Sequence, residues 1–194
     1  MKKKILFSIL ILIGIGKGVC IAQDTPKEEL YAKNYALALQ TSVKEAMNLS
    51  TEQCLAIQIQ KHELDSLLKE KPDYDYWKHE RTHLLEILDE KQYDIFLGFK
   101  NIWYAYADAR KAWKNIRERD LANGLDSIQV IKEIVDYKLE RLKLFDRYAY
   151  DDRAKYDELA RELYNNFCPN ALRMINEVIA VEQKEKTYQG NITH

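Results

Sequence analysis

The chain has 194 residues, of which 46% are hydrophobic and 31% are charged, and its formal net charge is −1 at pH 7. A chain without a basic excess lacks the surface that phosphate binding needs, which argues against nucleic acid as the main partner. This length is sufficient to bury one sizeable hydrophobic core.

The N-terminus has the pattern of a secretory signal peptide. Three lysines at residues 2–4 precede an apolar run at residues 5–15, which is too short to span a membrane. Residues 20–22 then follow the small-x-small pattern of a cleavage site. We therefore expect residues 1–22 to be a signal peptide, residues 23–194 to be the mature protein, and the location to be periplasmic or secreted.

Cys20 leaves an alternative open, because lipoproteins are acylated at a cysteine in this part of the chain. Lys17 and Val19 fit that alternative poorly, since small residues before the cysteine and a leucine further back are expected there. Cleavage after Ala22 would remove four lysines and no acids, so the formal charge would fall from −1 to −5. We expect no membrane-spanning segment in the mature chain, which has no second long apolar run.

The mature sequence predicts an all-α protein. It contains three glycines and three prolines, and it lacks the alternation bounded by turns that is typical of strands. The hydrophobic spacing predicts a first helix over residues 27–47 and a second helix over residues 51–70. Pro72 then breaks the pattern before a third helix over residues 74–87.

The remaining sequence predicts three longer helices. The fourth runs from the Asp89 cap to residue 122 and stops at Asn123-Gly124. The fifth covers residues 126–167 with a kink near residues 151–152, and the last begins at Pro169.

Together these segments predict a single domain of about six antiparallel helices over residues 23–194, arranged as long helical hairpins. Residues 125–186 would supply additional helices to a first part at residues 23–124. The polar residues 187–194 would form a frayed tail.

A five-residue pattern of leucine, serine or aspartate, two further residues and glutamine occurs three times, at spacings of 39 and 37 residues. Serine or aspartate three positions before glutamine is a capping box, which satisfies free N–H groups at the start of a helix. Either one capped-helix unit is repeated, or three separate helices begin with good caps. The motif residues are Leu49, Ser50 and Gln53, then Leu88, Asp89 and Gln92, and then Leu125, Asp126 and Gln129.

The fourth predicted helix carries an aromatic stripe at spacings of three and four residues, which places its members on one face. One interpretation is that the stripe is the hydrophobic core of the domain, which is the usual place for such residues. The other is a partly exposed surface that binds apolar segments of other proteins. The stripe consists of Phe96, Phe99, Trp103, Tyr106, Arg110 and Trp113.

Residues 79–83 match the H-E-x-x-H pattern of zinc peptidases, in which Glu80 would be the general base. Three features argue against a zinc peptidase: Arg81 places a charge inside the motif, no third histidine follows at the expected spacing, and the helix is short. A metal site without catalysis is a second interpretation. If a hairpin turns at Pro72, His62, His79 and His83 could share a zinc ion with Glu63 or Glu80 as the fourth ligand.

Two cysteines remain after removal of the signal peptide. Cys54 and Cys168 would form a disulfide in an oxidising compartment if they lie close together in the fold. Two buried free thiols are the alternative.

The stretches Met47–Gln53 and His83–Tyr93 resemble the Spy/CpxP family, which is named for a repeated Leu-Thr-x-x-Gln motif. The resemblance covers residues 30–114, with Ser50 and Asp89 in place of the threonines. It implies a thin helical homodimer with long helices around a cradle. It also implies an ATP-independent chaperone, an envelope-stress regulator or a metal-responsive sensor.

These observations lead us to expect a non-enzymatic envelope protein without a cofactor, which binds unfolded or partner proteins. A zinc-type sensor that uses the three histidines is the alternative. A zinc hydrolase that uses Glu80 is a more remote one.

Overall fold

The computed structural model describes residues 32–190 and their side chains as far as residue 185. This part of the chain contains eight helices and no strand, and it belongs to one compact unit, so the prediction of an all-α single domain is confirmed. The predicted signal peptide, residues 1–22, lies outside the described residues. The helices in chain order are α1 (Lys33–Ala38), α2 (Thr41–Met47), α3 (Thr51–Glu70), α4 (Tyr76–Ile87), α5 (Glu90–Glu118), α6 (Ser127–Tyr148), α7 (Arg153–Phe167) and α8 (Asn170–Gly190).

The segment predicted as one helix over residues 27–47 contains two short helices in its described part. α1 ends at Ala38, and α2 begins at Thr41 after an extended Gln40 (φ −60°, ψ 139°). No glycine or proline marks this break. The prediction of one continuous helix was wrong. The break has no local marker in the sequence, and packing in the folded protein can override a local preference for helix.

The fourth predicted helix ends at Glu118, four residues before the predicted end. The N–H of Asp120 donates to the carbonyl of Arg117 (3.2 Å), and the N–H of Leu121 donates to that of Ile116 (3.0 Å). These two bonds form a Schellman motif around Asp120, whose φ is 56°. Glycine is usual at that left-handed position. Because an aspartate occupies it here, the sequence did not indicate that the helix ends at this point.

The fifth predicted helix is two helices, because α6 ends at Tyr148 and α7 begins at Arg153. The predicted kink is a complete break, and α7 packs back along α6. The ring of Tyr156, near the start of α7, lies 5.5 Å from that of Phe145 near the end of α6. The last helix continues to Gly190, so residues 187–190 are helical where fraying was expected.

Helix α5 extends through two regions of the core. Its 29 residues span roughly 43 Å. It packs with α1, α2, α4 and α6. Asp94 pairs with Arg147 and Asp108 with Lys138, so α6 runs antiparallel to α5. Its later part shares a hydrophobic cluster with α6 and α8 that contains Ala105, Ala109, Ile116, Ile134, Val135, Leu139, Leu172 and Ile175.

Candidate protein-binding surface

The aromatic stripe of α5 is buried at its first residue and exposed in its middle. Phe96 is 2% exposed, whereas Trp103 is 65% exposed and Tyr106 is 39% exposed. Phe99 and Trp113 are half-buried. Phe96 therefore belongs to the core, as the first interpretation expects, whereas Trp103 lies in solvent, which the second interpretation requires.

Tyr104, next to Trp103 in the chain, is also exposed, although it lies off the stripe and was not predicted from the sequence. Its side chain is 68% exposed. Together with Trp103, Tyr106 and the exposed Arg110, it forms what we call the α5 aromatic surface. A run of three aromatic residues within four positions was the signal that could have identified it.

The opposite side of α5 explains why this surface faces outward. Ala105 and Ala109 are completely buried in the cluster that α5 shares with α6. In this part of α5 the side chains that pack in the cluster are therefore small, and the larger Trp103 and Tyr104 do not belong to it. Hydrophobic packing thus uses the alanines and leaves Trp103 and Tyr104 in solvent.

Basic residues border the α5 aromatic surface. Lys111 and Lys114 are exposed, and Lys114 pairs with Glu118 at 3.5 Å. Lys100 does not contribute to this border. Its ammonium lies 3.0 Å from the carboxylate of Asp146 and 4.5 Å from the ring centre of Trp77. The surface can therefore offer aromatic contacts together with positive charge.

The first two motif copies meet in the fold through their glutamines. The Gln53 amide nitrogen donates to the Gln92 side-chain oxygen (2.7 Å), and the Gln92 amide nitrogen donates to that of Gln53 (3.1 Å). Each glutamine also completes the capping box of its own helix, with Ser50 and Asp89 respectively. Two helix starts are thereby joined by one reciprocal amide pair.

The third motif copy lacks this arrangement. The side chain of Asp126 accepts a hydrogen bond from the N–H of Ile128 (2.9 Å), so it caps α6. Gln129 instead donates to Glu133 (2.6 Å), and no capping box forms. Leu125 is 37% exposed, whereas Leu88 is 5% exposed. The third copy therefore provides a helix cap but no capping box.

Glu80 of the H-E-x-x-H motif holds the start of α1. Its carboxylate accepts hydrogen bonds from the N–H of Asn34 (3.0 Å), the side-chain amide of Asn34 (2.8 Å) and the N–H of Tyr35 (3.4 Å). It is 1% exposed, and burial raises its pKa above the ordinary value despite these hydrogen bonds. A carboxylate favours a helix N-terminus because the free N–H groups carry partial positive charge.

Arg81, the next residue, holds the opposite kind of helix end. Its guanidinium donates to the carbonyls of Asp146 (2.9 Å) and Arg147 (2.6 Å) in the last turn of α6, and it pairs with Asp151. A cation at a helix C-terminus satisfies free carbonyls and the negative end of the helix dipole. Glu80 and Arg81 thus act as caps for two other helices.

The three predicted metal ligands are only partly brought together. The rings of His79 and His83 lie 4.4 Å apart, whereas His62 is on α3. Among the described residues, no group of three or more histidine, cysteine, aspartate or glutamate side chains could hold a metal ion. Burial, and then the charge of His83, lower the pKa of His79, whose Nε2 is buried without a hydrogen-bond partner.

Cys54 and Cys168 are free thiols in the structure, so the predicted disulfide is not formed. Cys54 is half-buried in the first turn of α3. Cys168 lies between α7 and α8 in the cluster shared with α5 and α6, and burial raises the pKa of its thiol. The described cluster around Cys168 does not include Cys54, and the sequence carried no information about the distance between the two residues.

A groove lies beside α6 and was not predicted from the sequence. Its volume is about 490 Å³. The spacing of three acids on α6 was visible in the sequence, but the other wall comes from the end of α7 and the turn between α7 and α8. The lining residues are Glu133, Asp136, Tyr137, Glu140, Leu163, Phe167 and Pro169.

Comparisons with protein-family models, curated proteins and solved structures found no match to this chain. Within residues 32–190, none of the helices combines the length and hydropathy needed to cross a membrane.

Proposed function

We propose that this protein is a non-enzymatic binding module of the chaperone or stress-adaptor type, which holds apolar segments of unfolded or partner proteins on the α5 aromatic surface. The observation that carries the proposal is the exposure of Trp103 and Tyr104 on a helix whose opposite side is fully packed. Clustered exposed aromatic residues are typical of interaction sites, where they supply much of the binding energy. The use of Glu80 as a helix cap supports a role without hydrolysis.

The resemblance to the Spy/CpxP family supports the same function and adds two properties to the proposal. The protein would be periplasmic or secreted, and it would form a homodimer. N-terminal sequencing of the purified protein should find cleavage after Ala22. Light scattering coupled to size-exclusion chromatography should give twice the mass of the mature chain.

The test measures whether the protein suppresses aggregation of an unfolded client. Aggregation is monitored by light scattering, in the presence of a chelator. The test variant is Trp103→Gln/Tyr104→Gln. The matched control is Ile128→Gln, which removes an apolar side chain that is 79% exposed on another helix. We expect the wild type and the control to suppress scattering near an equimolar ratio and the double variant to fail. Equal suppression by the double variant, or none by the wild type, would contradict the proposal.

A metal-binding sensor is a second candidate, which one observation favours. His79 and His83 lie one helical turn apart with their rings 4.4 Å apart, and the buried Nε2 of His79 has no hydrogen-bond partner. Two imidazoles at this spacing can bind zinc when water or another protein supplies the remaining ligands. Zinc should raise the unfolding temperature of the wild type and leave that of a His83→Gln variant unchanged.

A further inference from the structure

The groove beside α6 combines an apolar wall with an acidic rim. Leu163, Phe167 and Pro169 form the apolar wall at the end of α7, and Phe167 is 70% exposed. Glu133, Asp136 and Glu140 come from α6, and no basic residue is among the described residues that line the groove. Two of these acids have partners outside the lining, because Gln129 donates to Glu133 (2.6 Å) and Lys143 pairs with Glu140 (3.1 Å). A groove of this kind offers apolar contact and negative charge within one site.

The negative charge of Asp136 is disfavoured by burial and by the two neighbouring carboxylates. Asp136 is partly buried, and burial is the main reason that its pKa is raised above the ordinary value. Glu140 and Glu133 raise that pKa further, while Lys132 opposes them. A cation placed beside Asp136 would stabilise the charged form of this carboxylate.

The aromatic residue at the edge suits the same occupant. The stem of a lysine or arginine is apolar and its head is charged, so the stem can pack on Phe167 while the head reaches the acids of α6. A cation near an aromatic ring gains additional attraction from the face of the ring. An anionic or purely apolar ligand would use one half of the groove and leave the other half unsatisfied.

We propose that this groove binds a lysine or arginine side chain, flanked by apolar residues, of a polypeptide held by the protein. The inference rests on the proposed binding function, which it deepens by naming a chemical preference in the partner. It uses residues of α6 and α7 and none of the α5 aromatic surface. An experiment can therefore contradict the groove assignment without contradicting the proposed function, and the reverse.

The probe is a fluorescein-labelled heptapeptide with one lysine between two leucines, compared with the same peptide carrying norleucine in place of lysine. The test variants of the full chain are Glu133→Gln/Asp136→Asn and Phe167→Gln. The matched control is Glu158→Gln, which removes one exposed acid of α7 outside the groove. Binding is followed by fluorescence anisotropy at low and high salt, and circular dichroism confirms folding of each variant.

We expect the lysine peptide to bind the wild type and the Glu158→Gln control alike, and both groove variants about tenfold more weakly. The norleucine peptide should bind every protein weakly, and salt should weaken the lysine peptide alone. Equal affinity for the two peptides, no binding of either, or unchanged affinity of both groove variants would overturn the inference.

The Trp103→Gln/Tyr104→Gln variant separates this inference from the proposed function. It should keep the affinity for the lysine peptide even where it no longer suppresses aggregation. Loss of peptide binding in that variant would place the peptide on α5 and would overturn the groove assignment.

Discussion

Replacement of Glu80 distinguishes a structural carboxylate from a catalytic one. In the structure this side chain accepts three hydrogen bonds from Asn34 and Tyr35 at the start of α1. The residue before α1, Ala32, has no side chain that could cap the helix. Glu80→Ala would therefore leave α1 without any side-chain acceptor for these N–H groups.

The cost of Glu80→Ala follows from the groups that it leaves unpaired. Loss of a helix cap costs about 1 kcal/mol, and a buried donor without a partner costs about 1–3 kcal/mol. Since the N–H of Tyr35 is part of a fully buried residue, we expect the free energy of unfolding to fall by about 3 kcal/mol. Glu80→Gln keeps one acceptor oxygen and should cost about 1 kcal/mol.

The two variants should also differ from the wild type in their response to pH. Burial raises the pKa of Glu80 above 4.5, so the folded protein binds this proton more tightly than the unfolded chain does. The stability that this group contributes is therefore greatest below pH 4.5 and is lost as the pH rises through the folded-state pKa. The advantage of the wild type over Glu80→Gln should shrink over the same interval.

The assay is urea unfolding followed by circular dichroism, with amide hydrogen exchange to locate the effect. Exchange should accelerate first at the N–H groups of Asn34 and Tyr35. A Glu80→Ala variant as stable as the wild type would refute the capping role. Peptide hydrolysis that is present in the wild type and lost in a stable Glu80→Gln variant would instead favour the zinc hydrolase.

Three further predictions concern the amide pair, the histidines and the thiols. Gln53→Ala and Gln92→Ala should each lower the free energy of unfolding by about 1 kcal/mol, and their effects should not add in the double variant. Gln129→Ala should change it by less than about 0.5 kcal/mol. Urea titration of the four variants and the wild type is the check. Burial lowers the pKa of His79, so its contribution is complete above pH 6.5 and is lost as the pH falls through the folded-state pKa. Thermal unfolding of His79→Gln should accordingly depend less on pH across that interval. Mass spectrometry after alkylation of the denatured, unreduced protein should find both cysteines of the mature chain modified.

Features with a local physical cause were predictable from the sequence. The caps at Ser50, Asp89 and Asp126 were found because a capping side chain and its N–H partner lie within three residues of each other. The proximity of His79 and His83 was found for the same reason, since four residues make about one helical turn. These elements needed no knowledge of the rest of the fold.

Features whose cause lies far away in the chain, or in an unusual residue, were not predictable. The break before Thr41 has no local marker, and the end of α5 depends on Asp120 in a conformation that glycine usually adopts. The exposure of Trp103 depends on which face of α5 meets α6. The spacing of a stripe shows which residues share a face, but it does not show whether that face is covered.

The adjacent caps Glu80 and Arg81 have a consequence for the order in which the chain folds during synthesis. Arg81 finds its partners 65 to 70 residues later, at and just after the end of α6. Until those residues have emerged from the ribosome, the guanidinium of Arg81 on α4 lacks its hydrogen-bond acceptors. We therefore expect α4 and the helices packed with it to remain open to proteases on the nascent chain until the end of α6 reaches Arg81. A fragment that ends before Asp146 should be degraded, although it contains both complete capping boxes.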